Sequence, residues 1–130
     1  MLGYSILVVD DDKSLLNIIQ DKLKAEGMNT IAALNGSLGV FKAVSDKPDL
    51  IVLDMMLSGG MSGFNVLDEL KKDSRTNGIP VIVLTNLDME EKVAKDIGVV
   101  DYFIKSNTDL DVICKRIKEI LGKNMMQDGK

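Results

Sequence analysis

The chain predicts an α/β domain built on a doubly wound parallel sheet, and three features of its 130 residues carry that prediction. Short apolar, β-branched runs alternate five times with amphipathic helical patterns, and no internal repeat or low-complexity stretch interrupts them. The run Leu50 Ile51 Val52 Leu53 has no period-two alternation, as expected of a strand covered by helices on both faces. The runs at 5–9 and 50–53 both end on acids, Asp10, Asp11 and Asp12 after the first and Asp54 after the second. The carboxyl edge of an open α/β sheet is where ligands bind, so those acids are the first candidates for a site.

Taken in order, Ser5 to Val9 reads as the first strand, and Leu15, Leu16, Ile18, Ile19 and Leu23 have the spacing of a first helix that ends near Glu26 Gly27. Asn29 to Leu34 is a weaker strand. Asn35, Gly36 and Ser37 can cap a second helix whose inward residues are predicted to be Leu38, Val40, Phe41 and Val44, with Pro48 stopping it. After the central strand comes a glycine-rich turn, then a third helix from Phe64 to Asp73, then a polar loop. Ile79 to Leu84 is a fourth buried strand with its proline at the tolerated start. Asp88 can cap a fourth helix that runs to about Ile97 and is closed by Gly98. Asp101 to Ile104 is the fifth strand, and a last helix turns Leu110, Ile113, Ile117, Ile120 and Leu121 inward. One domain over residues 1–122 results, followed by a polar tail, 123–130, with no apolar period and the character of a frayed end.

Composition narrows the function. The net charge of −4 comes with lysines spread along the chain, giving no basic stripe for nucleic acid and no polybasic patch for a membrane. No apolar run reaches a membrane span and the first nine residues lack signal-peptide character, so a cytoplasmic protein is expected. The single cysteine, Cys114, excludes an internal disulfide and lies in an apolar helical pattern, which reads as a core position. There is no histidine, which removes the commonest general base, Ser-His and Cys-His nucleophiles and most zinc sites.

Right-handed crossovers keep the strands parallel, so the residues just past each strand share one rim. That rim carries Asp10, Asp11, Asp12, Asp54, Thr85 and Lys105. With strand order 2-1-3-4-5, the flavodoxin-like arrangement, strands one and three flank the topological switch point and the carboxylates meet there. Taken singly, each has an ordinary reading: Asp54 a turn former, Asp12 an N-cap, Thr85 a turn hydroxyl, Lys105 a solvated lysine. Their joint position is what points to a site. Clustered carboxylates repel unless a cation joins them, and Mg²⁺ binds one or two carboxylates while keeping waters for a phosphate. A carboxylate nucleophile, a metal, a hydroxyl and a fixed positive charge meet the needs of phosphoryl transfer, with Asp54 attacking phosphorus in line to form an acyl phosphate.

Leu7 to Asp12, Leu50 to Leu57, Pro80 to Thr85 and Asp101 to Lys105 together resemble the receiver domain of two-component response regulators, CheY-like and over about residues 4–122. The resemblance implies that Asp54 is the phospho-acceptor. It implies that Asp11 and Asp54 hold Mg²⁺ directly, Asp10 largely through water, and that the backbone carbonyl of Met56 completes the protein ligands. Lys105 would contact the phosphoryl group, Thr85 would move to hydrogen-bond it, and Tyr102, by pattern a packing aromatic, would rotate with it. The donor would be a phosphohistidine on a sensor histidine kinase or histidine phosphotransfer protein, hence another chain. The reader of the change would be a downstream protein effector, or an output domain outside this sequence. Such a chain catalyses its own phosphorylation and dephosphorylation and turns over no separate substrate.

The sequence departs from the family at Ser58 and Ser106, where proline is usual, at Asn86, where a smaller residue is usual, and between Thr85 and Lys105, which is about two residues short. Met56 and Leu87 stand where the family tunes hydrolysis of the phospho-aspartate. Both are apolar, which predicts slow self-dephosphorylation. A phosphorylation-independent interaction module is the alternative those departures keep open. A small phosphohydrolase would want a second acid two residues past the nucleophile, and Met56 stands there. Nucleotide or flavin binding lacks both a glycine fingerprint and a P-loop.

Overall fold

A computed structural model of the chain describes residues 3–88 and 91–128, without the side chains of 91, 94 and 123–128. Its five strands are β1 (Ser5–Val9), β2 (Asn29–Ala33), β3 (Leu50–Leu53), β4 (Val81–Thr85) and β5 (Asp101–Ile104). They form one parallel sheet in the order β2-β1-β3-β4-β5, as the sequence predicts. The helices are α1 (Lys13–Ala25), α2 (Gly36–Asp46), α3 (Gly63–Lys72), α4 (Glu91–Asp96) and α5 (Leu110–Asp128), with a 3₁₀ turn over Lys105–Asn107.

Side chains alternate across a strand, and in β1, β3 and β4 both alternating sets are apolar. Ile6, Val8, Leu50, Val52, Ile82 and Leu84 pack one face against α1 and α5, through Leu16, Ile19, Ile113 and Ile117. Leu7, Val9, Ile51, Leu53, Val81 and Val83 pack the other against α2 and α3, through Ala43, Val66, Leu67 and Leu70. Each fully buried Leu or Ile contributes about 1.5–3 kcal/mol, which is why three short strands suffice to hold the sheet. Cys114 is buried in the first of these layers, as its pattern predicts.

Helix starts are set by side-chain caps. Asp12 accepts from the Leu15 N–H at 3.1 Å and Asn35 from the Leu38 N–H at 2.8 Å. Ser62 and Asn65 cap each other's backbone in a capping box at the start of α3. At the end of α2 Lys47 takes the left-handed conformation (φ +48°) before Pro48, and Gly98 (φ +81°) follows α4.

Expectations change at α2 and at the end of α5. Phe41 is 66 % exposed instead of buried, because α2 approaches the sheet through Gly36, Gly39 and Ala43. A Cβ on Gly39 would stand 2.9 Å from Val9 Cγ2, so the helix lies too close for larger residues on that face. Ile18 is also exposed, one residue outside the stripe formed by Leu16, Ile19 and Leu23. The backbone of α5 stays helical to Asp128 across most of the predicted tail, whose Lys, Met and Gln residues are good helix formers. Among the described residues α4 spans Glu91–Asp96, and the residues on which an Asp88 cap would act, 89 and 90, lie outside them.

Candidate functional site

Strand register builds the acidic half of the site. Val9 and Leu53 are paired in the β1–β3 ladder, so Asp10 and Asp54 leave neighbouring strands side by side. Their backbones continue the pairing: the Asp54 N–H donates to the Val9 carbonyl at 3.0 Å and the Asp10 N–H to the Ala33 carbonyl at 3.1 Å. Both carboxylates are almost wholly buried, at 2 % and 4 % exposure. Asp11 is exposed beside them, and the three acids each offer an oxygen within 4.8 Å of the others. Asp12 is outside this group, turned to the cap of α1.

The other half comes from the ends of β4 and β5. The Lys105 ammonium lies 2.7 Å from Asp10 Oδ2 and 2.7 Å from Asp54 Oδ2. The buried Thr85 hydroxyl donates to Asp54 Oδ1 at 2.6 Å and accepts from the Leu87 N–H at 3.2 Å. Met56 contributes its N–H, which donates to Asp54 Oδ1 at 2.9 Å, while its side chain is exposed. Gly63 lets the start of α3 press on this turn: a Cβ there would stand 2.4 Å from the Asp54 carbonyl oxygen and from Met55 Cα. Among the described residues no buried side-chain nitrogen or oxygen lacks a hydrogen-bond partner.

The electrostatics follow from burial and partners. Burial pushes the Asp10 carboxyl above its ordinary range, outweighing the hydrogen bonds it accepts from Lys105 and the Asp12 N–H. The hydroxyl and N–H of Ser58 hold Asp11 below that range, at donor distances of 2.7 Å and 3.0 Å. Burial works against the Lys105 charge, yet its bonds to Asp10 and Asp54 prevail and its pKa is raised. One ammonium does not balance three carboxylates. Their oxygens are hard donors, and with charge left over the set fits a small divalent cation such as Mg²⁺.

Asp10, Asp11, Asp54, Thr85 and Lys105 are thus brought together as the rim argument expects. Tyr102 is placed on β5 beside this group. Its ring packs against the α3-side core, and its hydroxyl donates to the Leu87 carbonyl at 3.4 Å. Three contributions escaped sequence reasoning: the grip of Ser58 on Asp11, the close approach at Gly63, and the bond from the Ser106 N–H to Asn86 Oδ1 at 3.2 Å. The last explains two departures together, since a proline at 106 would have no N–H and a small residue at 86 no acceptor. The signal was present in both substitutions, but only the loop geometry pairs them.

Comparison with known proteins agrees with this geometry. The family model described as response regulator receiver domain matches residues 6–118. Protein PilH of Pseudomonas aeruginosa is 36% identical over 118 residues, covering 89% of this chain and 96% of that protein. The DNA-binding dual master transcriptional regulator RpaA of Synechocystis is also 36% identical over 118 residues, but this chain spans only 48% of its length. The structure of the Francisella response regulator 1452 receiver domain superposes with a TM-score of 0.84 at 28% identity, covering 94% of this chain and 99% of that one. With the acidic rim, the order β2-β1-β3-β4-β5 and these matches in hand, the chain belongs to the receiver domains of two-component response regulators.

Proposed function

We propose that this receiver domain, over about residues 1–122, takes a phosphoryl group from a phosphohistidine onto Asp54 and signals by the change of surface that follows. The observation that carries the proposal is the setting of Asp54, a carboxylate at 4 % exposure with a lysine ammonium on one oxygen and a threonine hydroxyl on the other. In the step itself an Asp54 oxygen attacks phosphorus in line, the new O–P bond forms as the P–N bond breaks, and the imidazole leaves to be protonated. The Lys105 ammonium neutralises charge on the phosphoryl oxygens, and the Thr85 hydroxyl exchanges its bond with Asp54 for one with the phosphoryl group. Tyr102, next to the Thr85 loop through Leu87, follows that exchange.

Asp11 and Asp54 would hold Mg²⁺ directly, Asp10 through water, and the Met56 carbonyl would complete the set. The ion supplies charge neutralisation of the equatorial oxygens when bound. The donor is a sensor histidine kinase or a histidine phosphotransfer protein, since this chain has no histidine. The reader is a protein effector or an output domain beyond this sequence, with neither nucleic acid nor membrane bound directly. No helix among the described residues is long and apolar enough to cross a membrane, and we place the protein in the cytoplasm. It turns over no separate substrate.

The test is intact mass after incubation with acetyl phosphate, with Mg²⁺ and with EDTA, for wild type and Asp54→Asn. A Mg²⁺-dependent gain of one phosphoryl group, absent in the variant, is expected. No gain by the folded wild type under any condition would overturn the proposal in favour of a phosphorylation-independent module.

A further inference from the structure

Asp11 differs from the two acids beside it. Asp10 and Asp54 are buried and tied to Lys105, whereas Asp11 is exposed and its bonds run to the loop after β3. Both donors of Ser58 converge on one atom, Asp11 Oδ2, the hydroxyl at 2.7 Å and the N–H at 3.0 Å. The next two residues, Gly59 (φ +86°) and Gly60 (φ +101°), take positive-φ conformations that glycine adopts at no steric cost. Held this way, Asp11 offers one carboxylate oxygen within 4.8 Å of ligand atoms of Asp10 and Asp54. A carboxylate offers about four lone-pair sites, so two bonds to Oδ2 leave Oδ1 and further capacity open to a cation.

We propose that Ser58 is a positioning residue for the divalent cation. It fixes the rotamer of Asp11, so that the cation meets a carboxylate already aimed. An exposed aspartate without such a partner would lose rotamer freedom only on binding, and that cost would appear as weaker affinity. The proposal rests on the reading of this rim as a Mg²⁺ site.

The test is calorimetric titration of the unphosphorylated chain with Mg²⁺ for wild type, Ser58→Thr, Ser58→Ala and Ser58→Pro, with thermal unfolding in EDTA to show that each is folded. Ser58→Ala keeps the N–H, and its Kd is expected to rise about 3- to 10-fold, at or below the 10- to 100-fold typical when a metal ligand loses its partner. Ser58→Pro loses both donors and should bind more weakly still, while Ser58→Thr keeps the hydroxyl and should stay within about twofold of wild type. A Kd for Ser58→Ala equal to or below that of wild type would overturn the proposal, because Ser58 would then be neutral or a competitor of the cation. Absence of Mg²⁺ binding by wild type would overturn the reading of the rim as well, so the two failures are distinct.

Discussion

The ends of β1 and β3 and the ends of β4 and β5 reach the same edge of the sheet by different means. Asp10 and Asp54 follow four-residue stretches buried throughout, and the ladder between β1 and β3 continues into their own backbone N–H groups. Every position of β5 is only partly buried, and Lys105 opens a 3₁₀ turn instead of prolonging a strand. The loops that follow β4 and β5 are joined by the bond from the Ser106 N–H to Asn86 Oδ1. The acids are therefore placed by the rigid core, as is the backbone of Thr85 at the end of buried β4, whereas the bonds of its hydroxyl and of the Lys105 ammonium can be exchanged. That division suits a site in which the acceptor stays fixed and its partners change hands on phosphorylation.

The largest effect is expected from cutting the exchangeable half at its charge. Lys105→Ala should slow phosphoryl incorporation about 10²- to 10³-fold, as when one preorganised transition-state donor is lost, measured as the rate of mass gain with acetyl phosphate. A rate within threefold of wild type would mean that the acids alone suffice.

Cutting the rigid half should cost stability instead. Gly63→Ala would place a methyl group 2.4 Å from the backbone at Asp54 and Met55. Overpacking of this kind costs about 1–3 kcal/mol, read as a lower urea midpoint with an unchanged slope. An unchanged midpoint would show that the β3–α3 turn is softer than its packing implies.

The pH response separates the halves more finely. Burial raises the folded pKa of Asp10 above the ordinary 3.8, so at that site the folded state binds more protons than the unfolded one. Its contribution to stability is therefore fully present below pH 3.8 and lost as pH rises through the raised value. Without metal, Asp10→Asn should accordingly be more stable than wild type at pH 7, by a margin that shrinks on acidification. A margin independent of pH would contradict this assignment.

The smallest effect belongs to the tether. Asn86→Ala removes one exposed hydrogen bond and should change stability by about 0.5–1 kcal/mol or less. The same variant should raise amide exchange at Ser106, whose N–H loses its acceptor. Unchanged exchange there would show that the two loops are held together by other contacts.

The same contrast explains what could be read from the sequence. Continuous apolar runs ending in acids are legible because a buried parallel strand leaves few choices of register or edge; Asp10 and Asp54 follow from them, and the parallel order brings Thr85 and Lys105 to the same rim. Apolar spacing points Phe41 inward, but smallness decides the inner face of α2, because Gly39 packed against Val9 leaves no room there for a larger side chain. The grip of Ser58 on Asp11 joins residues 47 positions apart through a glycine turn, which no local spacing reveals. Asn86 and Ser106 stood out as departures, but their bond depends on loop paths that neither helix nor strand periodicity specifies.

The central claim is that the buried carboxylate at the end of β3 accepts the phosphoryl group. Reductive trapping tests it most directly: the chain is phosphorylated with acetyl phosphate and Mg²⁺, the acyl phosphate is reduced with borohydride, and the product is mapped by peptide mass spectrometry. The account predicts homoserine at position 54 and at no other aspartate. Homoserine at Asp10 or Asp11, or none in a protein that has gained phosphoryl mass, would contradict it.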